Sequence, residues 1–501
     1  MRSVKKGNKA LFGVLAASVL VVSACGGSSE SAGGEATGGT AEDPVVIQYL
    51  HRLPDGEGMT LVQDSIERFN AENPGIRVEA TKFDGQPDES YARIHQSVVA
   101  GDGLCLAQVG YDAIGASFVA GDLLDVTEHA SPYTGNYAEG PMAQMTVGGA
   151  VVGLPQDTGP LIYMYDTAAF AELGIEAPTT WDEFYEAAKV AREDGKYIGT
   201  FQTDEVKNLM SGHAAAAGSS WFEGTDDGWD VSLDDEATAE VAAVYQKLID
   251  EDLIKVVGRW DTAFTDALVG GEIIGTVGAG WEPAFFLGDL GQEETSWEVA
   301  HLPAFDADNP STGPDGGSGI AVVKGCEHPE EALKVADWYN TQVPDLVSQG
   351  LVVAATTEAP QTPENIKALW NGQDVYGVLA EANERMNPDF AYGPTWPAVG
   401  AVLNETGATV SEGGTSMQEL FEAGQDAAET SLEDAGLPVR RGRNTQEADL
   451  PTGGGADHGV PPCPLGGPAR SAARRAGHSE HTERERTASG ATPEMESGTA
   501  P

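Results

Sequence analysis

The chain has 501 residues, with 79 acidic against 28 basic side chains and a formal net charge of −51. A surface this acidic repels phosphate backbones, which argues against nucleic acid as a partner. The length exceeds what one hydrophobic core usually spans, so more than one domain is expected.

Arg2, Lys5, Lys6 and Lys9 precede the apolar run Ala10 to Val22, which ends in Ser23-Ala24-Cys25. Basic residues, an apolar run and small residues in that order make a secretory signal over 1–24. The run is shorter than the roughly 20 residues a spanning helix needs. Val22-Ser23-Ala24-Cys25 resembles the bacterial lipobox, which implies cleavage before Cys25 and a diacylglycerol on its sulfur. Two or more acyl chains hold a protein on a membrane where one does not. Residues 25–43, mostly Gly, Ser, Ala, Thr and Glu, cannot bury a core and read as a flexible tether.

Val45-Val46-Ile47-Gln48-Tyr49-Leu50 reads as a buried strand. Leu61, Val62, Ile66 and Phe69 share a helical face, and Asn73-Pro74-Gly75 stops that helix. Ile76, Val78 and Ala80 alternate with polar residues as a half-buried strand. Tyr91, Ile94 and Val98 mark a helix capped by Gly101, and Leu104 to Val109 is a third strand. Strand, helix, strand, helix, strand implies a parallel α/β sheet.

The pattern resumes at Leu161 to Tyr165, a strand, followed by a short helix ending near Gly174. Thr180-Trp181-Asp182-Glu183 has capping-box spacing, which makes Trp181 a packing residue on a helix. Further helices carry Val241 to Leu248, Ala332 to Tyr339 and Leu420 to Ala428. Strands are expected at Ile273 to Val277 and Ile320 to Val323, completing two α/β units. From 437 to 501 the periodicity vanishes into Pro, Gly, Ser, Thr, Arg and His, which predicts a disordered tail without regular metal-ligand spacing.

An ordered set of segments carries a resemblance. Glu67 to Val78, Phe118-Val119-Ala120-Gly121-Asp122-Leu123-Leu124-Asp125 and Gly153-Leu154-Pro155 come first. Met164-Tyr165-Asp166, Pro178 to Phe184, and Gly270-Gly271-Glu272-Ile273 through Gly280-Trp281 follow. In this order they resemble extracellular solute-binding protein family 1, the sugar-binding lipoproteins of ABC importers to which maltose-binding protein belongs. The chain departs from the family at Leu104-Cys105, where Pro-Asp is usual, and at Tyr165-Asp166, where Tyr-Asn is usual.

The resemblance implies the type II periplasmic-binding-protein fold, with two α/β lobes each discontinuous in sequence. One lobe takes 44–156 plus 303–356, the other 157–302 plus 357–436, with hinges near Leu154-Pro155 and Leu302-Pro303. The implied role is capture of a sugar or oligosaccharide in the interlobe cleft and delivery to the permease subunits of an ABC importer. It also implies a monomer, lipid-anchored on the outer face of the bacterial cell membrane, with no cofactor and no metal.

A sugar offers apolar C–H faces and a rim of hydroxyls, so its site needs flat aromatic rings and strong acceptors. By resemblance Trp281 and Trp396 occupy stacking positions, and Asp112 corresponds to an acidic sugar contact. Tyr111 shares the end of the third strand with Asp112, where ligands sit in open α/β sheets. His51 and Arg52 follow the first strand in the same way, and Asp157 and Gln202 are further candidates. Trp221 and Trp229 lie in a Gly- and acid-rich loop that suggests no role. Aromatic rings with acids also suit a polyamine, which is the alternative ligand. Paired carboxylates would suit a glycosidase, but G-x-S-x-G, H-E-x-x-H and a phosphate-binding Gly loop are all absent from the sequence. Because the family places Cys105 and Cys326 at neighbouring strand ends in an oxidising compartment, the resemblance also implies a disulfide between them.

Overall fold

The computed structural model describes residues 39–55, 59–85, 87–225, 227–291, 295–411 and 413–441. The signal, Cys25, most of the tether and the chain beyond Arg441 lie outside the described residues. Among the described residues, no helix is long and apolar enough to cross a membrane.

Val45–His51 (β1) pairs in parallel with Ile76–Lys82 (β2) on one side and Leu104–Gly110 (β3) on the other. Every residue of β3 is buried, as in a strand covered on both faces. The connecting helix Val62–Glu72 (α1) buries Val62, Ile66 and Phe69. Asn73 stops it, donating its amide and its backbone N–H to Phe69 O. Asn70 fastens α1 to the sheet edge, accepting from Val78 N at 2.7 Å and donating to Val78 O at 3.1 Å. Pro87–Ala100 (α2) leads to β3, and Tyr111–Val119 (α3) leaves its carboxyl end.

The strand expected at Leu161 to Tyr165 is the second half of a longer one, Gly153–Asp166 (β4). Its first half pairs antiparallel with Pro314–Val322 (β7), for example Leu154 with Ile320. Its second half pairs with Gly275–Ala279 (β5) and Trp297–His301 (β6). With Val352–Val353 (β8) also on β4, the sheet runs β5-β4-β7-β3-β1-β2. One continuous strand therefore carries the chain from the first α/β unit to the second.

The ladder loosens where it crosses. Pro160 stands opposite Pro314, and neither has an N–H to give. The register shifts between Pro314 and Gly317 and again between Ser318 and Gly319, while Gly316 and Gly317 take φ values of 79° and 91°. Residues 303–313 still pack on the second unit: Ala304 bridges Thr180, Leu161 N donates to Gly313 O, and Thr312 Oγ1 donates to Leu161 O at 2.8 Å.

β7 also pairs antiparallel with β3, which brings Cys105 and Cys326 together. They form a disulfide with Cα atoms 4.6 Å apart, closing a sequence separation of 221 residues. Two local expectations need amendment. Thr180 caps its helix, but the Glu183 carboxylate reaches Thr179 N and Oγ1 instead of closing a box on Thr180. Val439–Arg441, read as the start of a disordered tail, is a strand parallel to Gly228–Val231. Arg440 holds it there through Asp227 and Asp230, 3.8 and 3.4 Å away.

Candidate ligand cleft

Trp281 follows β5 and opens the short turn Glu282–Ala284 at the point where the strands cross. Its indole N–H donates to Asp315 O at 3.0 Å. A Cβ on Gly159 would stand 1.9 Å from Asp315 O and 3.1 Å from the Trp281 ring, so glycine is what lets β4, β7 and the indole meet. The half-buried ring lies parallel to Trp260, with centroids 6.1 Å apart and 7° between planes. Phe285 meets its edge at 5.5 Å.

Trp260 is 54% exposed yet fixed. Its indole N–H donates to Glu205 at 2.6 Å, and Asp204 accepts from the backbone N–H groups of Arg259 and Trp260. Beneath it the buried Arg259 pairs with Glu282 at 2.6 Å and Asp289 at 2.8 Å. Glu282 accepts from Ala279 N as well, tying the Trp281 turn to β5. The platform thus stands on charge-assisted hydrogen bonds, which hold geometry firmly in a low-dielectric site.

From the first unit, Tyr111 opens α3 and packs on Gly317, where a Cβ would stand 2.6 Å from its ring. The Tyr111 hydroxyl is buried without a partner among the described residues. Asp157, on β4, accepts from Ser318 Oγ. Burial pushes its carboxyl up to about 6, against the lowering effects of Ser318 and Arg52. Arg52 donates through its guanidinium to Tyr91 OH at 3.3 Å and stacks over that ring, while its backbone N–H goes to Gln108.

Asp112, in the first turn of α3, lines a cavity of 530 Å³ with Tyr91, Lys207, Trp396 and Asn404. α3 and the helix Trp396–Ser411 form its walls. Trp396 itself is 1% exposed and packs on Tyr392 and Trp221 at 4.8 and 5.9 Å. A second concavity of 660 Å³, between Tyr137, Phe222, Trp229 and Phe390, shares no residue with the first.

Of the residues singled out in the sequence, Tyr111, Asp157 and Trp281 converge on the Gly316-Gly317 turn. Asp112 and Trp396 line the adjacent cavity. His51 and Gln202 lie elsewhere. His51 is buried at the end of β1 against Tyr49, and burial lowers its imidazole to about 4, so it is neutral. Gln202 is buried, its amide committed to Thr200 Oγ1 and Val277 O. Sequence reasoning did not single out Trp260, Lys207 or Asp315, and it took Tyr91 only as a helix-face residue. Asp315 sits in Gly-Pro-Asp-Gly-Gly, which reads as an ordinary turn, and Trp260 follows no periodic pattern. Among the described residues, no cluster of His, Cys, Asp and Glu could hold a metal ion.

Residues 54–342 match the family model described as bacterial extracellular solute-binding protein. The galacto-N-biose-/lacto-N-biose I-binding protein of the ABC transporter from Bifidobacterium longum, solved with lacto-N-biose, is 43% identical. The match covers 79% of this chain and 99% of that one, with a TM-score of 0.71. A binding protein from B. animalis subsp. lactis Bl-04, solved with beta-1,6-galactobiose, is 22% identical over 80% of this chain and all of that one, at 0.60. The cyclic alpha-maltosyl-1,6-maltose binding protein from Arthrobacter globiformis is 18% identical over 78% of this chain and 100% of that one, at 0.64. These last two likenesses speak for the fold alone. A family match over more than half the chain, a relative this similar and a sheet that threads two α/β units agree. The chain belongs to the bacterial extracellular solute-binding proteins and has their two-lobed type II fold.

Proposed function

We propose that this protein is the substrate-binding subunit of an ABC importer and captures a neutral di- or oligosaccharide between its lobes. The observation that carries the reading is Trp281: a half-buried indole, pinned at the strand crossing by its hydrogen bond to Asp315 O and stacked on Trp260. An aromatic face with carboxylates beside it meets the two surfaces a sugar has, its C–H face and its hydroxyl rim. The 43% identical relative, described as a binding protein for galacto-N-biose and lacto-N-biose, supports a saccharide of that size.

The lobes are the units 44–156 plus 303–356 and 157–302 plus 357–436. The crossing at Thr158 to Pro160 and Pro314 to Gly317, with its missing donors and left-handed glycines, favours hinge motion there. The second crossing then falls at Pro314 to Gly317 and not at Leu302-Pro303, which moves residues 303–313 out of the first lobe as bounded above and into the second. Ligand closes the lobes because only the closed form lets both walls touch it. Capture proceeds without turnover and without a cofactor, by a monomer. Cys25 carries the lipid, including a palmitate-type acyl chain, that holds the protein on the outer face of the cell membrane next to its permease.

Titration calorimetry with lacto-N-biose, beta-1,6-galactobiose and spermidine tests the reading. Saturable binding of a saccharide at micromolar strength or better, without hydrolysis, is expected. Binding of spermidine with silence toward every saccharide would replace it by the polyamine reading.

A further inference from the structure

The 530 Å³ cavity has two walls of small side chains. Ala113 and Ala116 of α3, with Ala120 at its C-cap, recur at helical spacing along one wall. Pro397, Gly400 and Ala401 of the helix Trp396–Ser411 form the other. The chain just before that helix touches α3 at Gly115, where a Cβ would stand 3.2 Å from Gly393 O and Pro394 Cα. Past that contact the small side chains leave the space between the helices unfilled.

The same walls carry hydrogen-bond donors that the fold does not use. The Trp396 indole N–H is buried without a partner among the described residues, although its ring is packed on Tyr392 and Trp221. Its nitrogen edge borders Gly400, where a Cβ would stand 3.7 Å from Trp396 Cε2, the carbon bonded to that nitrogen, and 2.9 Å from Lys207 Cδ. The Lys207 stem therefore lies along the same edge, a flexible cover that can swing aside while Asn404 holds the Lys207 backbone N–H at 2.9 Å. Lys207 lines the cavity, and its ammonium makes no ion pair among the described residues. An indole N–H and an ammonium are both donors only, so neither satisfies the other. A buried donor left unpaired is rare in native structures and points to an acceptor supplied from outside the fold.

We propose that this cavity receives the acetamido group of a 2-acetamido sugar. The carbonyl oxygen of that group has two lone pairs and no proton, so it accepts from Trp396 Nε1 and Lys207 Nζ together. Its methyl lies against Ala113, Ala116 and Ala401. A hydroxyl in the same place brings a proton that these donors cannot receive, and it leaves the alanine surface uncovered. A carboxylate would also suit the donors, but Asp112 and Asp122 line the same space and repel it. Trp396 acts here through its N–H edge, with its face kept in the interior. The inference rests on the saccharide reading above and narrows it to a saccharide that contains an N-acetylated hexosamine, with Trp281, which does not line this cavity, left as the stacking platform.

The test titrates lacto-N-biose and galactosyl-beta-1,3-glucose, which differ only in an acetamido group against a hydroxyl, into the parent, Ala116→Leu and Trp396→Phe, alongside melting of the ligand-free proteins. The parent is expected to prefer lacto-N-biose by roughly tenfold to a hundredfold, the scale of one hydrogen bond and one buried methyl. Ala116→Leu fills the cavity from a half-buried helix position and should bring the two affinities close together with little change in melting. Trp396→Phe keeps an aromatic ring without an N–H and should cut the preference severalfold. The preference is a ratio of two affinities of one protein, so a loss of stability alone does not imitate its fall. Equal binding of the two disaccharides by the parent overturns the proposal, and so does a preference undiminished in either variant. A parent that binds beta-1,6-galactobiose but neither of these sugars overturns the acetamido assignment and leaves the saccharide reading standing. A parent that binds no saccharide defeats that reading itself.

Discussion

Two tryptophans to which the sequence gives one role sit in opposite environments. Trp396 packs on Tyr392 and Trp221, which both meet Phe390, in a region where apolar surface meets apolar surface. There Trp221 donates its indole N–H to Thr238 at 3.0 Å. Trp281, at the strand crossing, is only half-buried, stacked on the exposed Trp260, and the same crossing holds the unpartnered Tyr111 hydroxyl. The Trp396 indole N–H is itself buried without a partner among the described residues, whereas that of Trp281 is satisfied, so the contrast lies in how far apolar neighbours enclose each ring and not in an unmet hydrogen bond at Trp281. The difference predicts which substitutions damage folding and which damage capture.

The largest effect belongs to the enclosed ring. Trp396→Ala should destabilise the protein by about 4 kcal/mol, the scale of deleting a large buried aromatic side chain. Urea unfolding of the ligand-free protein measures it. A loss below about 1 kcal/mol would mean that Trp396 serves the cavity it lines with Asp112 more than the packing of the interior.

Trp281→Ala should show the reverse balance. Affinity for lacto-N-biose should fall by about 2 to 3 kcal/mol, as for a buried aromatic anchor, while urea unfolding shifts much less. Parallel titration and unfolding sharpen the comparison, since only the ratio of the two losses separates the rings. Normal binding with a large loss of stability would assign Trp281 to the scaffold.

The sequence carried the first unit legibly, because β1, α1, β2, α2 and β3 each show their own period and their own stop, as at Asn73 and Gly101. It did not carry the crossing. Pro155 and Pro160 interrupt the alternation, so half of β4 reads as a loop, and its continuity is settled by β7, more than 150 residues later in sequence. The strand Val439–Arg441 is equally nonlocal, held by the Gly228–Val231 strand and its aspartates. Within the site, Trp281 was visible because the segment from Gly270 through Gly280-Trp281 resembles the family's. Asp315 was not, since burial of a turn-like aspartate is decided entirely by what folds over it. Cys105 and Cys326 could be paired from the sequence only through the family resemblance, and the antiparallel pairing of β7 with β3 is what brings them together.

The smallest effect tests the unmet charge of the crossing against the neutral interior. Burial holds the folded Asp157 carboxyl at about 6, above its unfolded value, so the folded state binds more protons between roughly pH 4 and 6. Asp157 therefore contributes stability below pH 4 that is lost as pH rises toward 6. The buried His51 and His213, both lowered to about 4, act oppositely: their contribution is present above about pH 6.5 and is lost as pH falls toward 4. In the parent the two trends oppose each other over one window. Asp157→Asn keeps an acceptor for Ser318 but removes one trend, so the variant should be more stable at pH 7 by about 2 kcal/mol. At pH 4 the two proteins should be nearly equal, and the acid-side decline of the variant correspondingly steeper. Urea midpoints at both pH values measure this without ligand. An equal difference at pH 4 and pH 7 would show that burial does not raise the Asp157 carboxyl in the folded protein.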